Sequence, residues 1–110
     1  MAVYIDNMNA PCRGMLMVHM IADTSEELIE MADKIGVNRK WIQDKGTYSE
    51  HFDICQTKKK RAVALGAKEI TMMELGRMTA KRPGSPFYDR YKDEETPVKH
   101  ENPNPQIPLF

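Results

Sequence analysis

The stretch M-L-M-V-H-M-I-A at residues 15–22 is apolar at both alternating parities, broken only by His19, and runs directly into D-T-S-E-E-L at residues 23–28. Eight residues that are apolar on both sides read as a central strand covered from two directions. A buried helix of that length has the same periodicity, and the strand is the preferred reading. A helix start comes next. Thr24 and Glu27 stand in capping-box spacing, Leu28, Ala32 and Ile35 repeat at helical intervals, and Gly36 supplies a left-handed stop. Residues 23–34 carry five acids and one base, with Glu26, Glu30 and Asp33 on the side away from the apolar stripe, so that side is expected to face water.

Outward from this strand and helix, residues 2–6 form a β-branched and aromatic run with Val3 and Ile5 on one face, closed by a turn-prone segment, residues 7–14, around Pro11. Residues 37–48 are irregular, with a short helical turn at Trp41 and Ile42. Thr57 opens a second helix through Ala62, Val63 and Leu65, ended by Gly66. A brief strand succeeds it at residues 68–71. Thr71 and Glu74 form another capping-box pair and start a last helix through Met72, Met73, Leu75 and Met78, interrupted by Gly76. This order implies a small α/β fold, a short sheet of about three strands packed by three helices. In it residues 15–22 and 68–71 are expected to be parallel neighbours joined by a right-handed crossover. Six of the seven prolines lie beyond Arg82. The chain therefore divides into a domain at residues 1–82 and a Pro-rich tail, extended or disordered, at residues 83–110.

With 110 residues, 41% apolar and 29% charged, the chain is too ordered in composition to be disordered and too short for a large cavity-bearing enzyme. Only 3 Phe, 4 Tyr and 1 Trp against 9 Met require an aliphatic and methionine core. Cys12 and Cys55 are too few for a disulfide framework and are expected to be reduced thiols. No run is long enough to span a bilayer and no leading apolar region marks a signal peptide, so the expectation is a cytoplasmic protein without membrane contact. Sixteen basic against sixteen acidic residues argue against a general nucleic-acid coat.

The chemistry concentrates in two places. Lys58, Lys59, Lys60 and Arg61 fall in the expected first turn of the second helix, where each exposed cation costs ~0.3–1 kcal/mol against the macrodipole. Carboxylates, hydration or a bound anion must offset them. Lys58 and Arg61, three apart, can converge on one ligand, and a phosphate fits. No glycine-rich loop precedes Thr57, which argues against a Walker-type nucleotide site. His51 and Asp53, two apart, leave an extended segment on the same face, as a general base with its orienting acid or as two ligands of a divalent metal. His19 and Asp23 share one parity and give a second such pair, with Asp6 at the end of the first strand as a further acid. The plainer alternative is a core histidine, a helix-start aspartate and loop-shaping residues. Cys55 is read as a small buried thiol, and Trp41 as a packing residue rather than a nucleic-acid platform.

V-Y-I-D at residues 3–6, R-G-M-L-M-x-H-M-I-A-D-T at 13–24, E-E-L at 26–28 and I-G at 35–36 resemble a family of short bacterial and phage proteins. H-F-D at 51–53, T-K-K at 57–59 and L-G-A-K-E-I at 65–70 extend the likeness, which is to the uncharacterised domain-of-unknown-function family numbered 4031. The resemblance covers residues 2 to about 75 and implies a phage or bacterial origin. It implies no activity. The family pattern of His, aromatic, Asp, then Ser or Thr with Lys-Arg is met by His51, Phe52, Asp53, Thr57 and Lys58, with Lys59 in place of the Arg.

The expected function is binding of a phosphate-bearing ligand, a nucleotide or nucleic-acid end, with phosphoesterase chemistry at His51, Asp53, His19, Asp23 and Asp6 and anion binding at Lys58, Lys59 and Arg61. The sequence leaves the cofactor open, with a divalent metal as one option. The competing expectation is a phage accessory protein that captures a host protein through the tail aromatics. An oligomer-forming module is a third, because methionine-rich faces can remain exposed in so small a core.

Overall fold

The computed structural model describes residues 2–93. Five strands form one mixed sheet: β1 (Val3–Ile5), β2 (Ala10–Cys12), β3 (Met15–Ala22), β4 (Phe52–Cys55) and β5 (Lys68–Glu69). The helices are α1 (Ser25–Ile35), α2 (Gln56–Ala64), α3 (Met72–Ala80) and a single turn, α4 (Tyr88–Tyr91), with a 3₁₀ turn at Arg39–Trp41. The α/β class expected from the sequence holds.

The long apolar strand is the organiser of the sheet. Met20 is in register with both Ile5 and Phe52, and Met17 with both Ala10 and Cys55, all antiparallel. β1 and β2 therefore share one edge of β3 and β4 takes the other, which leaves no edge for β5. The expected parallel pairing of residues 68–71 with β3 is corrected accordingly: β5 pairs in parallel with β1, Tyr4 against Lys68. β2 and β4 are the strands that the sequence reading lacked.

Alternation along β3 sends Val18, Met20 and Ala22 to one face, where they meet Val3, Ile5, Phe52 and Ile54 from the sheet and Leu28, Met31, Ala32, Ile35 and Ala62 from α1 and α2. This is the main core. Phe52 is fully buried in it, so truncation to Ala there costs about 3–5 kcal/mol. Met17, His19 and Ile21 point the other way. Ile21 is buried outside the main cluster, on a face partly covered by Leu75 and Thr79 of α3.

Both ends of α1 and the start of α3 obey their sequence signals, whereas α2 starts at Gln56 after an N-cap Cys55, one residue ahead of the Thr57 expected to open it. Thr24 Oγ1 accepts from the Glu27 amide at 3.2 Å and donates to Glu27 Oε1, while Gly36 closes α1 at φ 86°. The second capping box is complete, the Thr71 amide donating to Glu74 Oε1 and the Glu74 amide to Thr71 Oγ1. Capped so, α3 runs unbroken through Gly76, where an interruption was expected. Trp41 is corrected as well: it is 62% exposed with Lys40 over its ring, and Val37 and Ile42 pack on the core instead. Of the segment expected to be extended, residues 83–93 hold a buried Ser85 and the turn of α4. The rest of the tail, with Pro97, Pro103, Pro105, Pro108, Leu109 and Phe110, lies outside the described residues. Among the described residues no helix is long and apolar enough to cross a membrane.

Candidate functional site

One residue past β1, the backbone still keeps to the sheet: the Asp6 amide donates to His19 O at 3.1 Å. The return bond goes to a side chain, because the His19 amide donates to Asp6 Oδ1 at 2.8 Å and the Met8 amide to the same oxygen at 3.2 Å. A short acidic side chain that captures nearby amides turns the chain out of the strand. It also fixes the other oxygen, which lies 2.7 Å from His19 Nδ1 in a fully buried position. Across the next gap His19 is the register partner of Asp53 on β4. Asp6, His19 and Asp53 thus form one row across three adjacent strands, on the face opposite the main core.

His51 joins them from the same face, two residues before Asp53, held by mutual backbone bonds with Gln43. Its ring meets that of His19 edge-on, centroids 5.3 Å apart and planes at 77°. His51 Nδ1 lies 2.6 Å from the carbonyl oxygen of Ser49, which can only accept, so the ring hydrogen is on Nδ1. The Asp6 carboxylate assigns the hydrogen of His19 to Nδ1 by the same logic. In the neutral rings both Nε2 atoms then carry bare lone pairs. They face Asp53 Oδ1, at 3.4 Å from His51 and 3.9 Å from His19. Gln43 Nε2 donates to the other Asp53 oxygen at 2.8 Å, and Oδ1 is buried with no hydrogen-bond donor among the described residues. Two imidazole nitrogens and one carboxylate oxygen, mutually within 4.8 Å, are the atoms here that can hold a metal ion. Beside them opens a cleft of about 150 Å³ lined by His19, Ile21, Ser49, His51, Leu75 and Thr79.

The family model described as "Protein of unknown function (DUF4031)" matches residues 3–82. This chain belongs to that family. No curated protein and no solved structure matches it. The DUF4031 stretch contains every residue of the cluster and both capping boxes, and it ends two residues past α3.

The sequence-derived site residues of this DUF4031 domain are only partly brought together. Asp23 does not pair with His19: it accepts from the Ala2 amide at 2.8 Å and from Tyr4 Oη at 3.5 Å. The two share a face, but four residues of extended chain at about 3.3 Å each set them about 13 Å apart, and Asp23 instead continues the pairing with the start of the chain, its amide donating to Ala2 O at 3.0 Å. Burial, and after it the charge of Asp23, raises the Tyr4 phenol above its ordinary value. Arg82 closes the same corner, donating to Ala22 O at 2.7 Å and to Tyr48 O at 3.3 Å. Burial pushes its guanidinium down, and Asp23 and Glu50 oppose that.

α2 begins at Gln56, so Lys58 and Lys59 lie in its first turn while Arg61, expected there too, lies in its last; Lys58 and Arg61 do converge. Their meeting point is the carbonyl end of α1, where Arg61 Nη1 donates to Ile35 O at 3.2 Å and both side chains border Gly36. That end of a helix carries partial negative charge, so it supplies the compensation the cations require. Lys59, only 15% exposed, pairs with Glu69 at 3.4 Å and reaches Asp6 O at 3.5 Å, while Lys60 is exposed. Cys55 lies beside Met17 and caps α2 without a side-chain bond. Gln43 and the Ser49 carbonyl were missed. A lone Gln and a backbone oxygen carry no spacing signal, and only the Gln43–His51 bridge makes them neighbours of the site.

Proposed function

We propose that the Asp6, His19, His51 and Asp53 cluster is a hydrolytic site for a phosphate-bearing ligand, a nucleotide or a nucleic-acid end, making the protein a small phosphoesterase. The observation that carries this reading is the pair of imidazoles whose Nδ1 atoms are tied down while both Nε2 lone pairs stand free beside a cleft. Such a nitrogen takes a proton from an attacking water, and the neighbouring carboxylate stabilises the imidazolium that forms. In this mechanism His51 is the base, Asp53 faces its Nε2, and Asp6 positions His19. Water oxygen bonds to phosphorus, the ester oxygen leaves, and the proton held on His51 passes to that oxygen. The basic first turn of α2, three residues beyond Asp53, supports the preference for an anion as a long-range field, since Lys58 and Arg61 are engaged at α1.

Titrating inorganic phosphate, nucleoside monophosphates and short oligonucleotides at low salt, while monitoring the amide signals of His19, residues 51–53 and residues 57–61, tests the binding. A chromogenic phosphate ester tests the chemistry. His51→Gln is expected to lower turnover by about 10²–10⁴-fold, the usual worth of a general base. Undisturbed amides together with no turnover by the wild type would end the proposal.

A further inference from the structure

We infer that His19 Nε2, His51 Nε2 and Asp53 Oδ1 are the ligands of one divalent cation of the zinc class, held with its fourth position open. The inference rests on the hydrolytic reading for its role and changes one part of it: with Nε2 on the cation, His51 is a ligand and not the base, and the cation would activate the attacking water instead; cation binding itself is measured apart from turnover.

Three features carry it. The first is the convergence of three acceptors with no donor between them: two Nε2 lone pairs and a buried carboxylate oxygen. The second is size. Zinc bonds of about 2.0–2.2 Å in a tetrahedral site place ligand atoms about 3.3–3.6 Å apart. The His51 to Asp53 separation of 3.4 Å already lies in that range, His19 to Asp53 at 3.9 Å lies just outside it, and the three atoms are within 4.8 Å of one another, so the two imidazoles close on the ion as it binds. The third is the outer shell. Ligating imidazoles commonly donate their second N–H to a carboxylate or a backbone carbonyl, and here Asp6 and the Ser49 carbonyl are those acceptors. Gln43 on Asp53 Oδ2 leaves Oδ1 as a single-oxygen ligand.

The donor set also selects the ion. Two imidazoles and one carboxylate, without thiolate, suit Zn²⁺, Co²⁺, Ni²⁺ or Fe²⁺ better than Mg²⁺ or Ca²⁺, which prefer all-oxygen shells. Three protein ligands leave one position for water, as in hydrolytic rather than structural zinc sites. Charge points the same way. With neutral imidazoles the cluster holds two carboxylates, Asp6 and Asp53, which repel a phosphate until a divalent cation offsets them.

The test uses the full chain, stripped with chelator and titrated with Co²⁺ and with Zn²⁺. We expect one Co²⁺ per chain with a tetrahedral ligand-field spectrum, displaced by Zn²⁺, and movement of the His19 and His51 Nε2 resonances in nitrogen-labelled wild type. His51→Gln or Asp53→Asn should remove the spectrum. Asp6→Asn, acting through His19, should weaken affinity about 10–100-fold. The wild-type nitrogen resonances keep the test decisive where a variant misfolds. Unmoved Nε2 resonances under excess Zn²⁺, or a His51–Asp53–His19 network that holds a shared proton and binds no ion, would overturn the inference. Zinc at these nitrogens with no phosphate ester turned over supports the inference and fails the hydrolytic reading. Turnover unaffected by chelator with no ion bound does the reverse.

Discussion

At the residue scale the molecule turns on Asp6, a fully buried carboxylate whose two oxygens do different work. Oδ1 accepts two backbone amides and Oδ2 accepts from His19. Asp6→Asn is the same shape but brings an amide donor. With its NH₂ at Oδ1 it meets two N–H groups, and with its NH₂ at Oδ2 it forces His19 Nδ1 to accept, moving the ring hydrogen to Nε2 against Asp53. The first leaves a buried polar conflict, while the second turns the Nε2 hydrogen toward the donor-less Asp53 Oδ1 and loses only the charge of the carboxylate that accepts from two amides and His19; the change costs about 1–3 kcal/mol. Denaturant titration should show a loss of that order, and nitrogen spectra should show which arrangement forms. Unchanged stability with an unchanged His19 tautomer would show that Asp6 does not hold the ring. His19, His51 and Asp53 were legible in the sequence because alternation and spacing two are visible there. Asp6 was legible only as a further acid at a strand end, and its pairing with His19 in place of Asp23 was not, since Asp6 lies thirteen residues away and arrives only through strand register.

At the scale of elements, the join between α1 and α2 explains how Lys58 is tolerated in a first turn where the helix dipole opposes it, with Arg61 reaching the same place from the last turn of α2. Gly36 lets the chain turn at φ 86° and leaves room for Lys58 and Arg61, whose atoms would lie 3.0 and 3.5 Å from a Cβ at that place. Both contacts are with ends of flexible side chains, so the cost of Gly36→Ala is mainly the left-handed backbone, about 1–2 kcal/mol by thermal or denaturant unfolding. Arg61→Gln removes the bond to Ile35 O and a favourable cation at the helix end, a loss of about 0.5–1 kcal/mol that shrinks as salt rises. Added inorganic phosphate should raise the melting temperature of wild type and of Arg61→Gln by the same amount. A rise confined to wild type would return Arg61 to the role of anion clamp. The glycine and the capping boxes were readable because each acts within four residues. β4, four residues long, and β2, three, offer too little alternation to register, and their existence is dictated by the two free edges of β3.

Across the whole molecule the two faces of the sheet are divided between stability and chemistry. One carries the continuous core against α1 and α2, and the other carries the His and Asp row under α3. α3 is fastened at its start, where the Met72 amide donates to Asn7 Oδ1, and just beyond its end, where Arg82 bonds Ala22 O and Tyr48 O. That second fastening shares a corner with Asp23 and Tyr4, so the stability of the lid over the site depends on an ionisable phenol. The Tyr4 phenol is raised above 10.0 in the fold, by burial first and by Asp23 next. Below pH 10 both folded and unfolded chains keep it neutral, and its contribution is complete. As pH climbs past the ordinary tyrosine value the unfolded chain loses the proton first, so stability falls until the folded phenol ionises as well. Tyr4→Phe cannot lose that proton, and its long 3.5 Å bond to Asp23 gives up little at neutral pH. The difference in unfolding free energy between the two proteins should therefore be small at pH 7 and shift in favour of Phe as pH passes 10. Parallel alkaline limbs in the two denaturation series would mean that Tyr4 ionises as freely in the fold as in the open chain.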